Sequence, residues 1–385
     1  MRIAVGVPRR PIPIGPLVLV GLVVGATVLV MIRYAGGLGS VTNLNDNYAW
    51  GLWISVDLLV GVALAAGAFT TATAVYIIGQ EKYRPILRPA ILTGFLGYLM
   101  VILGLLVDLG RPERIWYLLI FWNPHSVMFE VGWCVMLYTL VLALEFSPTL
   151  FERFGLRQPL RLITRAALAL AITGTVLSTL HQSSLGSLFL IIPDQLDVLW
   201  YTPILPLLFF LSAVAAGPSM VIIESSISSR VFKRGLAVDL LGSLAKAVSF
   251  VLALYLALRI ADLGIAGEFD DAFSGSRNSA LFLTETVVGV ILPMVLFALP
   301  AVRRNGTTLL LAACLVVGGV ILNRIDVGIV GFSRPVDAAT YVPHWMEFFI
   351  TFGNVAVGVL AFGLAVRYLP VFAPRQEQGE RGGAS

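Results

Sequence analysis

Residues Thr202–Ile223 read TPILPLLFFLSAVAAGPSMVII, 22 consecutive positions without one charged side chain. About 20 mainly apolar residues carry an α-helix across the hydrocarbon core of a bilayer, where each backbone polar group must be satisfied within the segment. Three more runs are equally free of charge: Ile14–Ile32, Ala90–Val107 and Thr307–Leu322. Leu52–Ile78, Val127–Leu144, Ala166–Leu180, Leu236–Leu258, Ala280–Val302 and Trp345–Val366 bring the set to ten, five of them with one or two embedded charges. A mean hydropathy of +0.91, with 58% hydrophobic and 12% charged residues over 385 positions, excludes a soluble globular domain. A barrel would instead show short alternating strands. The sequence therefore predicts an all-α membrane protein of ten transmembrane helices, a single integral membrane domain over 1–385.

Lys and Arg alternate between the two sides of these segments. With the N-terminus inside, the cytoplasmic segments hold Arg2, Arg9, Arg10, Lys82, Arg84, Arg88, Arg153, Arg157, Arg161, Arg165, Arg230, Lys233, Arg234, Arg303, Arg304, Arg367, Arg375 and Arg381, which is 18 of 26. The outer segments hold Arg33, Arg111, Arg114, Arg277, Arg324 and Arg334, while Lys246 and Arg259 lie within a segment. The positive-inside rule then places both termini in the cytoplasm of a bacterial inner membrane. Losing one segment would destroy the alternation. A net charge of +4 calls for anionic lipid rather than nucleic acid as a partner. The first run follows Arg9 and Arg10 like a signal sequence, but is long and lacks a small-residue cleavage site, so it is expected to stay as a helix. Cys134 and Cys314 fall within segments, which supports neither a disulfide nor a metal knuckle. The polar stretch from about 372 to 385 is expected to be a disordered tail.

Ionisable residues within a bilayer are costly and point to function. At about 1.5 Å of rise per residue, Asp57 lies two turns below the outer end of segment 2. His125 starts segment 4, with Glu130 deeper. His181 ends segment 5, Glu285 is two turns into segment 8, and His344 and Glu347 open segment 10. All three histidines and these four carboxylates thus sit in the outer third. A quinone headgroup needs such surroundings: an aromatic, lipid-open pocket, hydrogen-bond partners for its carbonyls, and groups that exchange protons near neutral pH. Trp50, Trp53, Phe121 and Trp122 supply aromatic surface beside Asp57 and His125, although interfacial tryptophans also serve as membrane anchors. Deeper in, Tyr98, Lys246 and Glu224 together with Glu130 form a partial proton route; the alternatives are a Tyr98 bond to a neighbouring carbonyl and a structural bridge from Lys246 to Glu224 or Asp239. Gly61, Ala65, Ala66 and Gly67 are expected to let neighbouring helices approach closely. Three histidines at one face are too few for a transmembrane pair of bis-histidine haems. A proton-coupled transporter is a rival reading; Pro206, Pro218 and Pro293 interrupt segments 6 and 8, yet the first half has no matching pair. A structural anchor without quinone chemistry is a second rival.

Trp50-Gly-Leu-Trp-Ile-Ser-Val-Asp57, continuing to Gly61-Val-Ala-Leu-Ala-Ala-Gly67, resembles the NrfD/PsrC family of quinone-interacting membrane subunits. Asn123-Pro-His-Ser-Val-Met-Phe-Glu130, His181-Gln-Ser-Ser-Leu-Gly186, Leu199-Trp-Tyr-Thr-Pro203, Glu224-Ser-Ser226, Asn323-Arg324 and Trp345-Met-Glu347 extend the likeness over about 45–368, toward the longer HybB-type branch found with nickel–iron hydrogenases and sulfur-metabolism enzymes. The resemblance implies two haem-free four-helix bundles, segments 2–5 and 6–9, flanked by segments 1 and 10. It also implies a periplasmic ferredoxin-like iron–sulfur subunit, a hydrogenase or sulfur-enzyme catalytic partner, and menaquinone or ubiquinone held in the first bundle. Quinone contacts then fall on Asp57 and His181, with His125 and Trp53 nearby, and proton conduction on Tyr98 and Glu130, extended here to Lys246 and Glu224. The Asn-His patch of shorter polysulfide reductases is not evident on segment 2. With no redox metal of its own, the chain alone is expected to be catalytically silent.

Overall fold

The computed structural model describes residues 14–45, 48, 50–191, 196–332 and 341–372. Among these, ten helices are long and apolar enough to span a bilayer. They are α1 (Gly15–Gly36), α2 (Trp53–Ile77), α3 (Glu81–Asp108), α4 (Val127–Phe154), α5 (Arg157–Ser187), α6 (Leu205–Val231), α7 (Val238–Ala266), α8 (Arg277–Ala298), α9 (Gly306–Val330) and α10 (Trp345–Tyr368). The tail expected over 372–385 lies, apart from Phe372, outside the described residues, as do Arg334 and the N-terminal Arg2, Arg9 and Arg10.

Local chemistry sets the helix ends. Ser126 Oγ accepts from Phe129 N at 3.3 Å to open α4, and Asn305 Oδ1 accepts from Thr307 N and Thr308 N at 2.9 and 3.2 Å to open α9. At α10, His344 and Glu347 form a reciprocal capping box. Gly155 and Gly267 take left-handed φ values of 68° and 77° where α4 and α7 stop.

Helices α2, α3, α4 and α5 contact one another in a closed ring, and α6, α7, α8 and α9 form a second. The pair α1 and α10 packs outside, with α10 against α2 and α3. The rings meet where α2 crosses α6, and the small residues there have a direct purpose: a Cβ on Gly67 would lie 2.8 Å from the Gly217 carbonyl oxygen. Gly289 on α8 and Gly319 on α9 meet backbone to backbone in the same way. One end of the molecule carries the basic connections around Lys82, Arg157 and Arg234. The other, the histidine-bearing end, carries all three histidines.

Four stretches wind as π-helix: Trp53–Val60, Thr73–Ile77, Glu285–Ile291 and Asp326–Val330. Such stretches are rare and concentrate at functional sites, because the extra residue per turn re-aims the side chains that follow. Three of them contain or begin at a buried acid: Asp57, Glu285 and Asp326.

Hydropathy misplaces one boundary. The ninth apolar run ends at Leu322, which leaves Arg324 as an outer-loop cation. The helix continues to Val330, and Arg324 is 1% exposed. Arg33, also counted in a loop, ends α1 with its Nε donating to Val107 O at 2.7 Å. Both guanidinium groups bond to carbonyls or side chains around them, so these helices carry a charge past the apolar run.

Candidate functional site

His181 lies inside the first ring with no solvent exposure. Its ring centre is 5.9 Å from that of Tyr98, and Tyr98 meets Tyr138 edge-to-face at 4.8 Å. Ser178, one turn before His181, adjoins both phenol hydroxyls. None of the five polar atoms concerned (Tyr98 Oη, Tyr138 Oη, Ser178 Oγ, His181 Nδ1 and Nε2) has a well-formed hydrogen bond among the described residues. The carbonyl oxygen of the Gln182 side chain is likewise unpaired, although its Nε2 donates to Val62 O at 3.0 Å and ties α5 to α2. Buried polar groups are paired in the great majority of cases. Six orphaned atoms lie in this one cluster.

The cluster extends towards both ends. Glu130 sits partly exposed on the first turn of α4, and Cys134, one turn on, has both Glu130 and Tyr98 among its neighbours. Towards the basic end, Glu224 of α6 is buried and accepts from Thr93 Oγ1 of α3 at 2.7 Å, while its Oε1 is unpaired. Cys134 thus stands between Glu130 and Tyr98, and Thr93 holds Glu224 on the other side. Tyr98 does not bond a neighbouring carbonyl.

Lys246 does not belong with these residues. It is exposed on the outer face of α7 and makes no ion pair with Glu224 or Asp239. Its depth along the helix is legible from sequence, but its direction around the axis points it out of the bundle, where a long stem carries the ammonium group toward the interface.

The four expected quinone contacts have four different surroundings. Asp57 faces α10: its Oδ2 accepts from Thr351 Oγ1 at 2.7 Å and its Oδ1 from Asn354 Nδ2 at 3.1 Å. Gly104 of α3 packs directly against the Asp57 side chain. Trp53 is buried, with Nε1 donating to Glu347 O at 3.3 Å. His125 stands exposed in the α3–α4 connection beside Phe121 and Trp122, themselves exposed. Only His181 enters the interior of the ring. The convergence of Asp57, His125 and His181 expected from their common depth is therefore absent, because α10 takes up both Asp57 oxygens. Glu347 acts structurally, accepting from Asn43 N at 3.1 Å, His344 N at 2.8 Å and the Tyr341 hydroxyl.

The second ring holds a polar network that sequence reasoning largely misses. Glu285 accepts from Trp200 Nε1 at 3.1 Å and Asn323 Nδ2 at 2.8 Å, and Arg324 spans Asn323 and Ser212 while lying 3.5 Å over the Phe209 ring. Asn323-Arg324 stands out as a motif, whereas Asp326 carries no signal.

Against this geometry stand the comparisons with known proteins. The family model described as polysulphide reductase, NrfD, matches residues 40–334, and the chain belongs to that family. It is 34% identical to the probable Ni/Fe-hydrogenase 2 b-type cytochrome subunit of Escherichia coli strain K12, over 96% of this chain and 94% of that protein. It is 29% identical to the menaquinone reductase integral membrane subunit of Nitratidesulfovibrio vulgaris, over 89% of this chain and 88% of the relative. With a selenate reductase subunit of Mesobacillus selenatarsenatis it shares 24% identity, over 90% of this chain and 91% of that protein. The chain is a multi-pass inner-membrane protein of a family whose members are membrane subunits of oxidoreductase complexes.

One relative's name includes a b-type cytochrome, which makes the histidines candidates for haem ligation. A b-type haem takes axial imidazole or thioether groups. His181 is enclosed by tyrosines, His125 is exposed in a connection, and His344 Nδ1 accepts from Met346 N at the start of α10. No two imidazoles face each other, and these residues do not fit a bis-imidazole haem.

Proposed function

We propose that the chain is the quinone-reactive membrane subunit of an oxidoreductase complex. It passes electrons between an iron–sulfur partner, seated at the histidine-bearing end, and a membrane quinone. The basic connections then face the cytoplasm and the histidine-bearing end the periplasm. The observation that carries this reading is the cluster of orphaned polar atoms around His181 in the first ring. An imidazole and two phenols with free hydrogen-bonding capacity fit the carbonyl and hydroxyl oxygens of a quinone headgroup. When bound, the quinone supplies two-electron chemistry coupled to two protons.

The residues of the chain would handle those protons. His181 exchanges a proton at a ring nitrogen, and Ser178 orients the Tyr98 and Tyr138 hydroxyls toward it. Glu130, reached through the turn that carries Cys134, connects the cluster with the histidine-bearing end. Thr93 and Glu224 continue it toward the basic end, about 7.5 Å along α3 from Tyr98 at 1.5 Å per residue, an interval for bridging water. Asp57, held by Thr351 and Asn354, fixes α10 against the first ring. A route that reaches both ends would couple turnover to the proton gradient.

The test is quinone-linked turnover of the purified complex. His181→Ala is expected to abolish it while the partner subunits stay bound, and Glu130→Gln to slow it with assembly intact. Wild-type turnover in His181→Ala would reject the site.

A further inference from the structure

Asp326 is 1% exposed, and neither carboxylate oxygen has a donor among the described residues. It stands one turn after Asn323, whose Nδ2 donates to Glu285 at 2.8 Å, so α9 brings the Asp326 carboxyl group beside Glu285. Glu285, 2% exposed, already receives the Trp200 indole and the Asn323 amide, one on each oxygen. Two acceptors therefore meet with nothing to donate between them. The cations nearby do not resolve the conflict. Arg324 directs its guanidinium to Asn323 Oδ1 at 2.5 Å, Ser212 Oγ at 2.7 Å and Phe209 O at 3.2 Å. Arg259 of α7 donates to Leu199 O and lies 4.9 Å from the Phe282 ring. Tyr255 of α7 is the remaining titratable neighbour. No ion pair reaches either acid among the described residues.

A buried carboxylate without a donor is strongly unfavourable, and two in contact are more so. One proton converts the clash into a donor–acceptor pair, since a protonated carboxyl carries an O–H that its neighbour accepts. We propose that Glu285 and Asp326 hold one proton between them, as a proton-binding site in the second ring separate from the His181 cluster. Both acids stand at the start of π-helical stretches of α8 and α9, a winding that concentrates at functional sites. Two spaces lie between Glu285 and the histidine-bearing end. A cavity of about 20 Å³, room for about one water, is lined by Ser212, Tyr255, Glu285 and Asn323. A polar pocket of about 390 Å³ lies at the surface among Asp197, Asp271, Arg277 and Asn278. Trp200 joins the two: its backbone N donates to Asp197 O at 3.0 Å, while its indole donates to Glu285. Exchange is a simple dissociation, in which the carboxyl proton leaves for the pocket and the pair becomes anionic beside Arg324 and Arg259.

Infrared spectroscopy of the purified full-length chain reads this without any quinone turnover, so its outcome is independent of the His181 proposal. The wild type is expected to show a protonated-carboxyl C=O stretch at neutral pH that shifts in D2O. Part of that band should be lost in Asp326→Asn and in Glu285→Gln, seen as a peak in the wild-type-minus-variant difference spectrum, where the other buried acids such as Glu224 cancel. The two substitutions are isosteric, and either one that folds, by unchanged gel-filtration behaviour, decides the matter. A wild-type spectrum without the band, or a difference spectrum without the peak in a folded variant, overturns the proposal. Stabilisation of the chain by Na⁺ that is lost in Asp326→Asn would assign the site to a cation and overturn it equally.

Discussion

Tyr98→Phe separates the two things a buried hydroxyl can do. The ring is fully enclosed and packs edge-to-face on Tyr138 at 4.8 Å, contacts that phenylalanine keeps. The hydroxyl has no well-formed hydrogen bond, so removing it gives up little. An unsatisfied buried polar group costs about 1–3 kcal/mol, and deleting one relieves that cost. Ser178 adjoins the hydroxyl and offsets part of it, which leaves a gain of about 1 kcal/mol or less on the scale of interhelical bonds in bilayers. Unfolding in denaturant should therefore show Tyr98→Phe at or slightly above wild-type stability. Quinone-linked turnover should fall by about 10²- to 10⁴-fold, the range for losing one proton-transfer group. A stable and slow variant is the signature of a hydroxyl kept for chemistry rather than for stability. A loss of more than about 1 kcal/mol would mean that the hydroxyl is bonded, against the unpaired state of Tyr98 Oη. Wild-type turnover would remove Tyr98 from the proton path.

Other outcomes follow from the same contacts. Arg324→Met leaves Asn323, Ser212 and the Phe209 carbonyl without their donor; stability should drop by about 1–3 kcal/mol, the cost of a buried polar group left unpaired, read as lost yield of folded chain in detergent. Lys246→Met should leave both turnover and yield unchanged, since its side chain lies outside the rings; clear loss of turnover would return it to the interior route. Gly217→Leu drives a side chain into the Ala66–Gly67 backbone and should cost at least about 1–3 kcal/mol by overpacking, measured as a lower midpoint of thermal aggregation, whereas Gly363→Leu, with open space around it, should not.

Hydropathy and the Lys/Arg alternation make the ten helices legible, because crossing a bilayer imposes length and charge asymmetry on the sequence itself. They also place Tyr98, Glu130, His181 and Glu224 at depths that suit an interior column. What they carry is position along a helix, and direction around it must be found elsewhere. Lys246 and Asp57 show the consequence: one points outwards, and the other turns to Thr351 and Asn354, nearly 300 positions away in the chain. The π-helical stretch Trp53–Val60 makes any angle projected from an ideal helix unreliable at Asp57. Arg324 and Asp326 are hidden differently. Charges buried by the packing of a bundle look, in sequence, like the end of a membrane segment.

Photolabelling the intact complex with an azidoquinone and mapping the modified peptides tests most directly whether the first ring receives quinone. The label is expected on α5 around His181 and on α3 and α4 around Tyr98 and Tyr138, and to be displaced by excess unlabelled quinone. Displaceable label confined to α7–α9, or none on the chain while the complex still turns over quinone, would contradict the assignment.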